Sequence, residues 1–390
     1  MKHTSPAATI GVVGGGQLGR MLGEAAGPLG VDILVLDPTP ECPASAVVRD
    51  QIVGEFDDEN AIRHLSERAD ILTYEIELAD PDALETVSRE LDIPVQPDPT
   101  TLRMIQDKAR QNDALAAADI PIPDYTPVDS VHEIRAAGSD FGWPLMLKAR
   151  RGGYDGRGNV PVNSPNAATG AFEEIGGGAL VEEFVSFRRE LSVIGVKGAQ
   201  DTRVYPVTET IHQQEILRET VTPARCDDAT TQLAQSIAQD VLDMLDGWGV
   251  YGIELFEVES PDGSPTIYVN EIAPRPHNSG HWTIEGAFAS QFEQHIRAIL
   301  GWPLAPIGLK SPTISANILG DVTSTQPAEL FGVESILSEP SAHLHWYGKH
   351  EVRPLRKMGH ITLNACDASD TLDDLHDTAQ SLIQAVSFVE

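Results

Sequence analysis

Thr9–Val13 is a short apolar run that stops at Gly14-Gly15-Gly16-Gln17-Leu18-Gly19. A helical spacing of apolar residues follows, at Leu18, Met21, Leu22 and Ala25. A second apolar run, Ile33–Leu36, then ends at Asp37. Strand, glycine loop, helix and strand in this order leave few topologies open. They fit an open parallel α/β sheet, in which such a loop falls at the carboxyl end of a strand. The glycines follow G-x-G-x-x-G, with an acid roughly 20 residues on, which satisfies the dinucleotide fingerprint. Such a loop lets a phosphate approach backbone N–H groups at a helix N-terminus. The same loop can bind another phosphate or simply turn tightly.

A third strand, Ile71–Tyr74, ends in Glu75-Ile76-Glu77. Ligands of open parallel sheets sit beyond the carboxyl ends of strands, so Glu75 is a candidate contact. A solvated loop carboxylate is the alternative. Val95-Gln96-Pro97-Asp98-Pro99 reads as a last short strand and a break, placing a domain boundary near residue 100. A helix pair over Thr100–Ala118 carries Asp107-Lys108. The apolar run Leu145–Leu147 leads to Lys148 and then to Arg150-Arg151-Gly152-Gly153-Tyr154-Asp155-Gly156-Arg157-Gly158. This second glycine loop lies between strand-like runs, and no G-x-x-x-x-G-K-[ST] occurs in the chain. A basic, glycine-rich flap suits covering a polyphosphate; a plain hairpin is the alternative.

Strands are expected at Leu180–Val185, Leu191–Val196, Val204–Val207, Gly249–Val258 and Thr266–Ile272. Helices are expected at Ala229–Leu245, Gly286–Leu300 and Leu372–Ala385, and late strands at His343–Tyr347 and Ile361–Leu363. Pro261-Asp262-Gly263-Ser264 is a tight hairpin signal. With Asp262-Gly263 as a two-residue turn, Glu254 lies eight residues before it and Glu271 eight after it. A regular ladder sets these two carboxylates opposite one another, with Cβ atoms about 4.5–5.5 Å apart. Like charges so placed are unfavourable unless a cation lies between them or one is protonated. A bulge or longer turn would offset them. The strand then delivers Asn270-Glu271-Ile272-Ala273-Pro274-Arg275-Pro276-His277-Asn278-Ser279-Gly280-His281. A carboxylate, an arginine, two histidines and two amides in a proline-braced loop are the makings of a site.

The formal net charge of −32, from 59 acidic and 27 basic residues, argues against nucleic acid or an anionic membrane as partner. No stretch approaches the roughly 20 apolar residues of a membrane span. The N-terminus has no apolar signal region. The isolated Cys42, Cys226 and Cys366 suit a reducing cytoplasm. Acidic residues are spread along the chain and lysine is scarce, a pattern that fits a halophilic source or an ordinary acidic cytoplasmic protein. On the first reading, activity and melting temperature rise with salt, because at about 1 M the Debye length is only about 3 Å and self-repulsion is screened. Both quantities measured highest at low ionic strength would contradict it.

Several stretches together resemble the ATP-grasp enzymes, and among them the N5-carboxyaminoimidazole ribonucleotide synthetases of purine biosynthesis. They are Gly14–Met21 (GGGQLGRM), Thr73–Glu77 (TYEIE), Gly152–Gly158 (GGYDGRG) and Glu190–Ile194 (ELSVI). Gly252–Phe256 (GIELF), Asn270–Trp282 (NEIAPRPHNSGHW), Ser290–Ala298 (SQFEQHIRA) and Lys357–Thr362 (KMGHIT) complete the set in order. The resemblance implies an α/β chain of three domains. These are a Rossmann-like N-terminal domain (1–100), a two-lobed ATP-grasp domain (101–305) and a small C-terminal domain (306–390). It implies a homodimer that uses ATP and Mg²⁺ to carboxylate 5-aminoimidazole ribonucleotide with bicarbonate, through carboxyphosphate.

The residue roles that follow are likewise implied by the resemblance. Lys108 and Lys148 would contact ATP phosphates, under a flap of Gly153, Tyr154, Asp155, Gly156, Arg157, Gly158 and Asn159. Glu182, Glu183, Phe184 and Val185 would form the adenine hinge, Glu190 would meet the ribose, and His212 would lie at the ATP site. Glu254 and Glu271 would hold Mg²⁺, with Asn270 beside them; hard oxygen ligands suit that ion. Tyr154, Asp155, Arg157, Arg275, His277 and Asn278 would form the ribonucleotide and bicarbonate site, with Gln17, Leu18 and Glu75 completing it. Of these, Arg275, His277 and Asp155 would be catalytic. Lys349, Arg356 and Lys357 would hold the 5′-phosphate. The first glycine loop would then face the ribonucleotide, NAD is not expected, and Asp37 has no assigned role. Asn112 departs from the lysine common in relatives. Rival readings are a formate-dependent glycinamide ribonucleotide transformylase, an NAD(P) oxidoreductase resting on the first loop and Asp37, and a non-catalytic ATP-binding regulator.

Overall fold

The computed structural model describes residues 7–152, 158–259, 263–367 and 369–388. The N-terminal unit is a four-stranded parallel sheet in the order Asp50–Val53, Asp32–Asp37, Thr9–Val13, Ile71–Tyr74. Its apolar strands are covered by the helices Gln17–Ala26, Glu59–Ser66 and Pro81–Leu91, as continuous hydrophobic runs require. The expected strand at Val95 is a single parallel bridge to Leu72, because Pro94 and Pro97 stand on either side of it and proline cannot donate to a ladder. The helices Pro99–Ile105 and Lys108–Ala117 follow, each started by an aspartate, Asp98 or Asp107, that accepts a backbone N–H of the first turn.

Next comes a four-stranded antiparallel sheet ordered Tyr125–Val128, Ala179–Glu183, Leu145–Ala149, Asn159–Val162. The helices Val131–Phe141 and Ala168–Ile175 close its apolar face. Residues 153–157 of the second glycine loop, and 260–262 of the expected hairpin turn, lie outside the described residues.

The remaining strands form one long sheet. Its path runs Pro265–Ala273, Gly249–Glu259, Arg189–Lys197, Thr208–Gln213, Ile216–Thr222, Thr313–Leu319, Lys357–Asn364, Ala342–Trp346, with Thr202–Val204 also paired to Arg189–Lys197. The C-terminal residues therefore extend the central sheet. Thr313–Leu319 pairs antiparallel with Ile216–Thr222, and neither strand was expected. The single expected strand over Val204–Val207 is instead two strands broken around Tyr205–Val207, which includes Pro206. The expected helix over Gly286–Leu300 is also two pieces. Thr283–Gly286 is one short turn, and Ser290 caps a new helix, Gln291–Ile299, by accepting the Glu293 N–H.

That last helix locks the units together. Phe292, Ile296 and Ile299 are buried against Ile10, Val12 and Leu18 of the N-terminal unit; each such side chain contributes roughly 1.5–3 kcal/mol. On the other side, His295 Nδ1 accepts the Val250 N–H at 3.1 Å while its Nε2 meets Thr73 Oγ1 at 2.8 Å. The helix thus joins the end of the parallel strand Ile71–Tyr74 to the strand carrying Glu254.

Candidate active site

Glu254 and Glu271 are direct cross-strand partners. The ladder reaches that register by two steps. Near the turn, Leu255 pairs with Val269 and Glu259 with Pro265, one residue short of a ladder centred on Asp262-Gly263. A bulge between Glu254 and Leu255 then absorbs Asn270 and restores the pairing. The bulge also re-aims a side chain, as bulges beside functional sites do. Asn270 Nδ2 lies 3.4 Å from Glu254 Oε2, so Asn270 and both carboxylates face one side. Lys108, first residue of its helix, donates to Glu271 Oε2 at 3.1 Å. Lys148, from the neighbouring sheet, donates to Asn270 Oδ1 at 3.1 Å and lies 2.6 Å from Glu182 Oε2. Asn112 donates to the other Glu182 oxygen at 3.1 Å. An amide there satisfies the buried carboxylate without adding a second cation.

The two carboxylates differ in proton affinity. Desolvation, then the charge of Glu271, raises the Glu254 carboxyl to about 6. Desolvation also acts on Glu271, but the charge and hydrogen bond of Lys108 outweigh it and hold this group below its ordinary value. Lys108 is raised in turn, since the attraction of Glu271 exceeds the opposing effect of burial. A pair of opposed carboxylates suits a hard divalent cation.

The loop beyond the hairpin brings Arg275, His277 and Asn278 to the same cavity of about 660 Å³. Arg275 Nη2 is held 2.7 Å from Glu77 Oε1. His277 Nε2 lies 3.6 Å from Glu254 Oε1, and its Nδ1 contacts Ser279 Oγ at 2.8 Å. Burial, then the positive charges of Arg275 and Lys357, keep this imidazole neutral well below its ordinary pKa. Gln17, Leu18 and Glu75 form the N-terminal wall of the cavity, and Lys357 and His212 also line it.

The first three N–H groups of the first glycine loop are taken up by the chain itself. The N–H of Gly14 goes to Leu36 O at 2.8 Å, that of Gly15 to Asp37 Oδ2 at 2.9 Å, and that of Gly16 to Glu75 Oε1 at 2.7 Å. Asp37, without a role in the sequence reading, is thus the brace of the loop. A Cβ on Gly15 would stand 2.4 Å from Cys42 Sγ, and one on Gly16 2.9 Å from Glu75 Oε1, so both positions need glycine. Burial raises the Glu75 carboxyl to about 7, opposed by its bond from Gly16.

Other expected site residues surround this centre. Glu190 Oε2 lies 3.2 Å from His212 Nδ1, and this contact raises the histidine against the lowering effect of burial. Glu183, the last residue of its strand, and Phe184 are exposed, and Val185 is half-buried. Asn159 pairs with Lys148, and Gly158 accepts the Ala149 N–H. Gly153, Tyr154, Asp155, Gly156 and Arg157 lie outside the described residues. Lys349 donates to Lys357 O at 2.6 Å, one step behind the cavity wall, and Arg356 Nη1 turns to Glu351 O at 2.6 Å.

Sequence reasoning missed two braces. Glu77 holds Arg275; its signal was the TYEIE run, where it follows Glu75 by two residues. Asp107 is buried and takes the Arg150 fork at 3.0 and 2.7 Å, anchoring the base of the second glycine loop. It had been seen only as the neighbour of Lys108.

Three family models match successive parts of the chain. A ribonucleotide synthetase preATP-grasp domain model matches residues 7–106, an ATP-grasp domain model 113–292, and a phosphoribosylaminoimidazole carboxylase C-terminal domain model 313–374. The N5-carboxyaminoimidazole ribonucleotide synthase of Brucella melitensis is 38% identical over 361 residues, which are 92% of this chain and 96% of that one. The chain belongs to the N5-carboxyaminoimidazole ribonucleotide synthase family. Within that family it is also 37% identical over 378 residues to the Pseudomonas aeruginosa synthase, across 96% of this chain and 99% of that one. The phosphoribosylaminoimidazole carboxylase of Schizosaccharomyces pombe is 41% identical over 364 residues, and the chain spans 64% of the length of that longer protein. Among solved structures, two of the Aspergillus clavatus synthase superpose with a TM-score of 0.88 at 36% identity, over 97% of this chain and 98% of theirs. One of those holds ATP, the other ADP and 5-aminoimidazole ribonucleotide.

Proposed function

We propose that this chain catalyses the ATP-dependent carboxylation of 5-aminoimidazole ribonucleotide by bicarbonate. The products are N5-carboxyaminoimidazole ribonucleotide, ADP and phosphate, a step of purine biosynthesis. The observation that carries this reading is that the opposed pair Glu254 and Glu271, with Lys108, shares one cavity with Arg275, His277 and Asn278. A phosphoryl donor and a carboxyl acceptor can therefore meet there. Family membership gives the reading its substrates.

A bicarbonate oxygen attacks the γ-phosphorus, the bond to ADP breaks, and carboxyphosphate forms. The exocyclic amine then attacks the carboxyl carbon, and phosphate leaves with the bridging oxygen and takes up the proton that the amine loses. Lys108 and Lys148 neutralise phosphoryl charge. Mg²⁺ held by Glu254 and Glu271 would supply further charge neutralisation and orientation of the phosphates. Arg275, fixed by Glu77, presents a planar cationic fork to the carboxyl oxygens. His277 acts by orientation. The Ser279 N–H is 3.4 Å from its Nδ1, which places the proton on Nε2 toward Glu254. The neutral ring then has no vacant lone pair to take the amine proton. Carboxyphosphate is short-lived in water, so enclosure of the cavity protects it. Asp155, Tyr154 and Arg157 would act from the second glycine loop.

Lys357, with Lys349 and Arg356 behind it, would meet the 5′-phosphate, while Glu182 to Val185, Glu190 and His212 would meet the nucleoside of ATP. The reading includes a homodimer in the cytoplasm. Three free cysteines, and no described helix long and apolar enough to cross a membrane, are consistent with that location. The test is steady-state ADP release with each acyl donor and each amine. Turnover that needs bicarbonate and aminoimidazole ribonucleotide supports the reading. Turnover with formate and glycinamide ribonucleotide instead would replace it.

A further inference from the structure

Gln291 is fully buried at the start of its helix, where Thr283 Oγ1 accepts its backbone N–H at 2.9 Å. Its side chain can lie only one way round. The His277 N–H must donate, so the amide atom 2.9 Å from it is Gln291 Oε1. The His277 carbonyl must accept, so the atom 2.7 Å from it is Gln291 Nε2. The two assignments agree. Gly280 packs directly on this amide, since a Cβ there would stand 2.5 Å from Gln291 Oε1.

This orientation propagates. Gln291 Nε2 is also 3.5 Å from His281 Nδ1, so a donor faces that ring nitrogen and Nδ1 carries a lone pair. His281 is buried, stacked on His360 with ring centres 4.6 Å apart. Burial, then the nearby His345 and Lys357, hold its pKa well below the ordinary histidine value. A neutral ring with a lone pair on Nδ1 carries its proton on Nε2. That nitrogen lies 3.0 Å from Asn278 Oδ1 and donates to it. With its oxygen engaged, Asn278 has its amide N–H groups left for the cavity that it lines.

We infer that Gln291 and His281 are positioning residues that fix the polarity of Asn278, so that Asn278 meets its ligand as a donor only. The ligand atom is then an acceptor oxygen. Arg275 and Lys357 line the same cavity, so the class it fits is an oxyanion, carboxylate or phosphoryl. The identity of that ligand rests on the proposed carboxylation; the tautomer and the polarity do not.

Two measurements separate these. In ligand-free protein labelled with ¹⁵N-histidine, the His281 ring is expected as the Nε2–H tautomer at pH 7. A ring protonated on Nδ1, or on both nitrogens, would overturn the inference whatever the reaction proves to be. In kinetics, His281→Gln keeps an N–H near the Nε2 position, whereas His281→Leu removes it. The Leu variant is expected to raise the KM for aminoimidazole ribonucleotide or bicarbonate about tenfold, one lost oriented hydrogen bond. The KM for ATP should stay unchanged, and the Gln variant should stay within about twofold of the parent. Equal behaviour of the two variants, or a rise in all three KM values together, would show that His281 only fills space. Absence of carboxylation by the parent protein would defeat the proposed function and leave the tautomer result standing.

Discussion

Glu271→Gln is expected to lower ATP turnover about a hundredfold or more, the scale seen when one charge-stabilising group is removed from a transition state. Glu271 accepts from Lys108 and opposes Glu254, so the change disturbs both the lysine proposed to bind phosphate and the proposed cation site. The Mg²⁺ concentration for half-maximal activity should rise as well. The parent should show a related pH effect. Glu254 must lose its proton to bind a cation, so the Mg²⁺ requirement climbs as pH falls through about 6.

Stability moves oppositely in the metal-free protein. A raised carboxyl contributes stability below its ordinary value of 4.5 and loses it as pH rises through about 6. Removing the charge of Glu271 lowers the Glu254 pKa, so this loss should be shallower in the variant. Melting curves with and without Mg²⁺ across that range measure it. Unchanged Mg²⁺ dependence in Glu271→Gln would defeat the assignment.

Arg275→Gln is expected to reduce turnover by about a hundred- to a thousandfold while the KM for ATP changes little. The side chain stands beyond the carboxylate pair, on the wall shared with His277 and Asn278, and Glu77 holds its guanidinium at 2.7 Å. Arg275→Lys should recover little, because an ammonium cannot present two parallel N–H groups to a carboxyl. Glu77→Gln should fall between the parent and the arginine variants, since it loosens the fork without deleting it. Initial rates of phosphate release with bicarbonate as the varied substrate would decide this. Full activity in Arg275→Lys would mean that charge alone suffices and that the fork is irrelevant.

The opposition of Glu254 and Glu271 was legible in the sequence, though the ladder reaches it through an offset and a compensating bulge at Asn270. An asparagine in an otherwise alternating strand is a weak signal for a bulge, so the offset could not be read. The loop from Arg275 to His281 declared itself by density of functional groups. The strands Ile216–Thr222 and Thr313–Leu319 did not. Their interior carries Glu219, Thr220 and Asn317, all buried, which breaks the apolar pattern. Two of those polar groups, Glu219 and Asn317, are satisfied by distant parts of the chain. Glu219 is met by His376 and Gln380 of the last helix, and Asn317 donates to Leu217 O. Asp37 was conspicuous for a different reason. It mimics the ribose-binding acid of a dinucleotide fold, yet it caps the glycine loop that the fingerprint would offer to phosphate. Glu77 and Gln291 escaped notice because positioning residues reveal themselves only by what they hold.

The most direct test follows the oxygen atoms of bicarbonate. If the chain makes carboxyphosphate and passes its carboxyl group to the amine, phosphate released from ATP in the presence of [¹⁸O]bicarbonate and aminoimidazole ribonucleotide carries one ¹⁸O. Unlabelled phosphate, released at a rate indifferent to bicarbonate, would contradict the account.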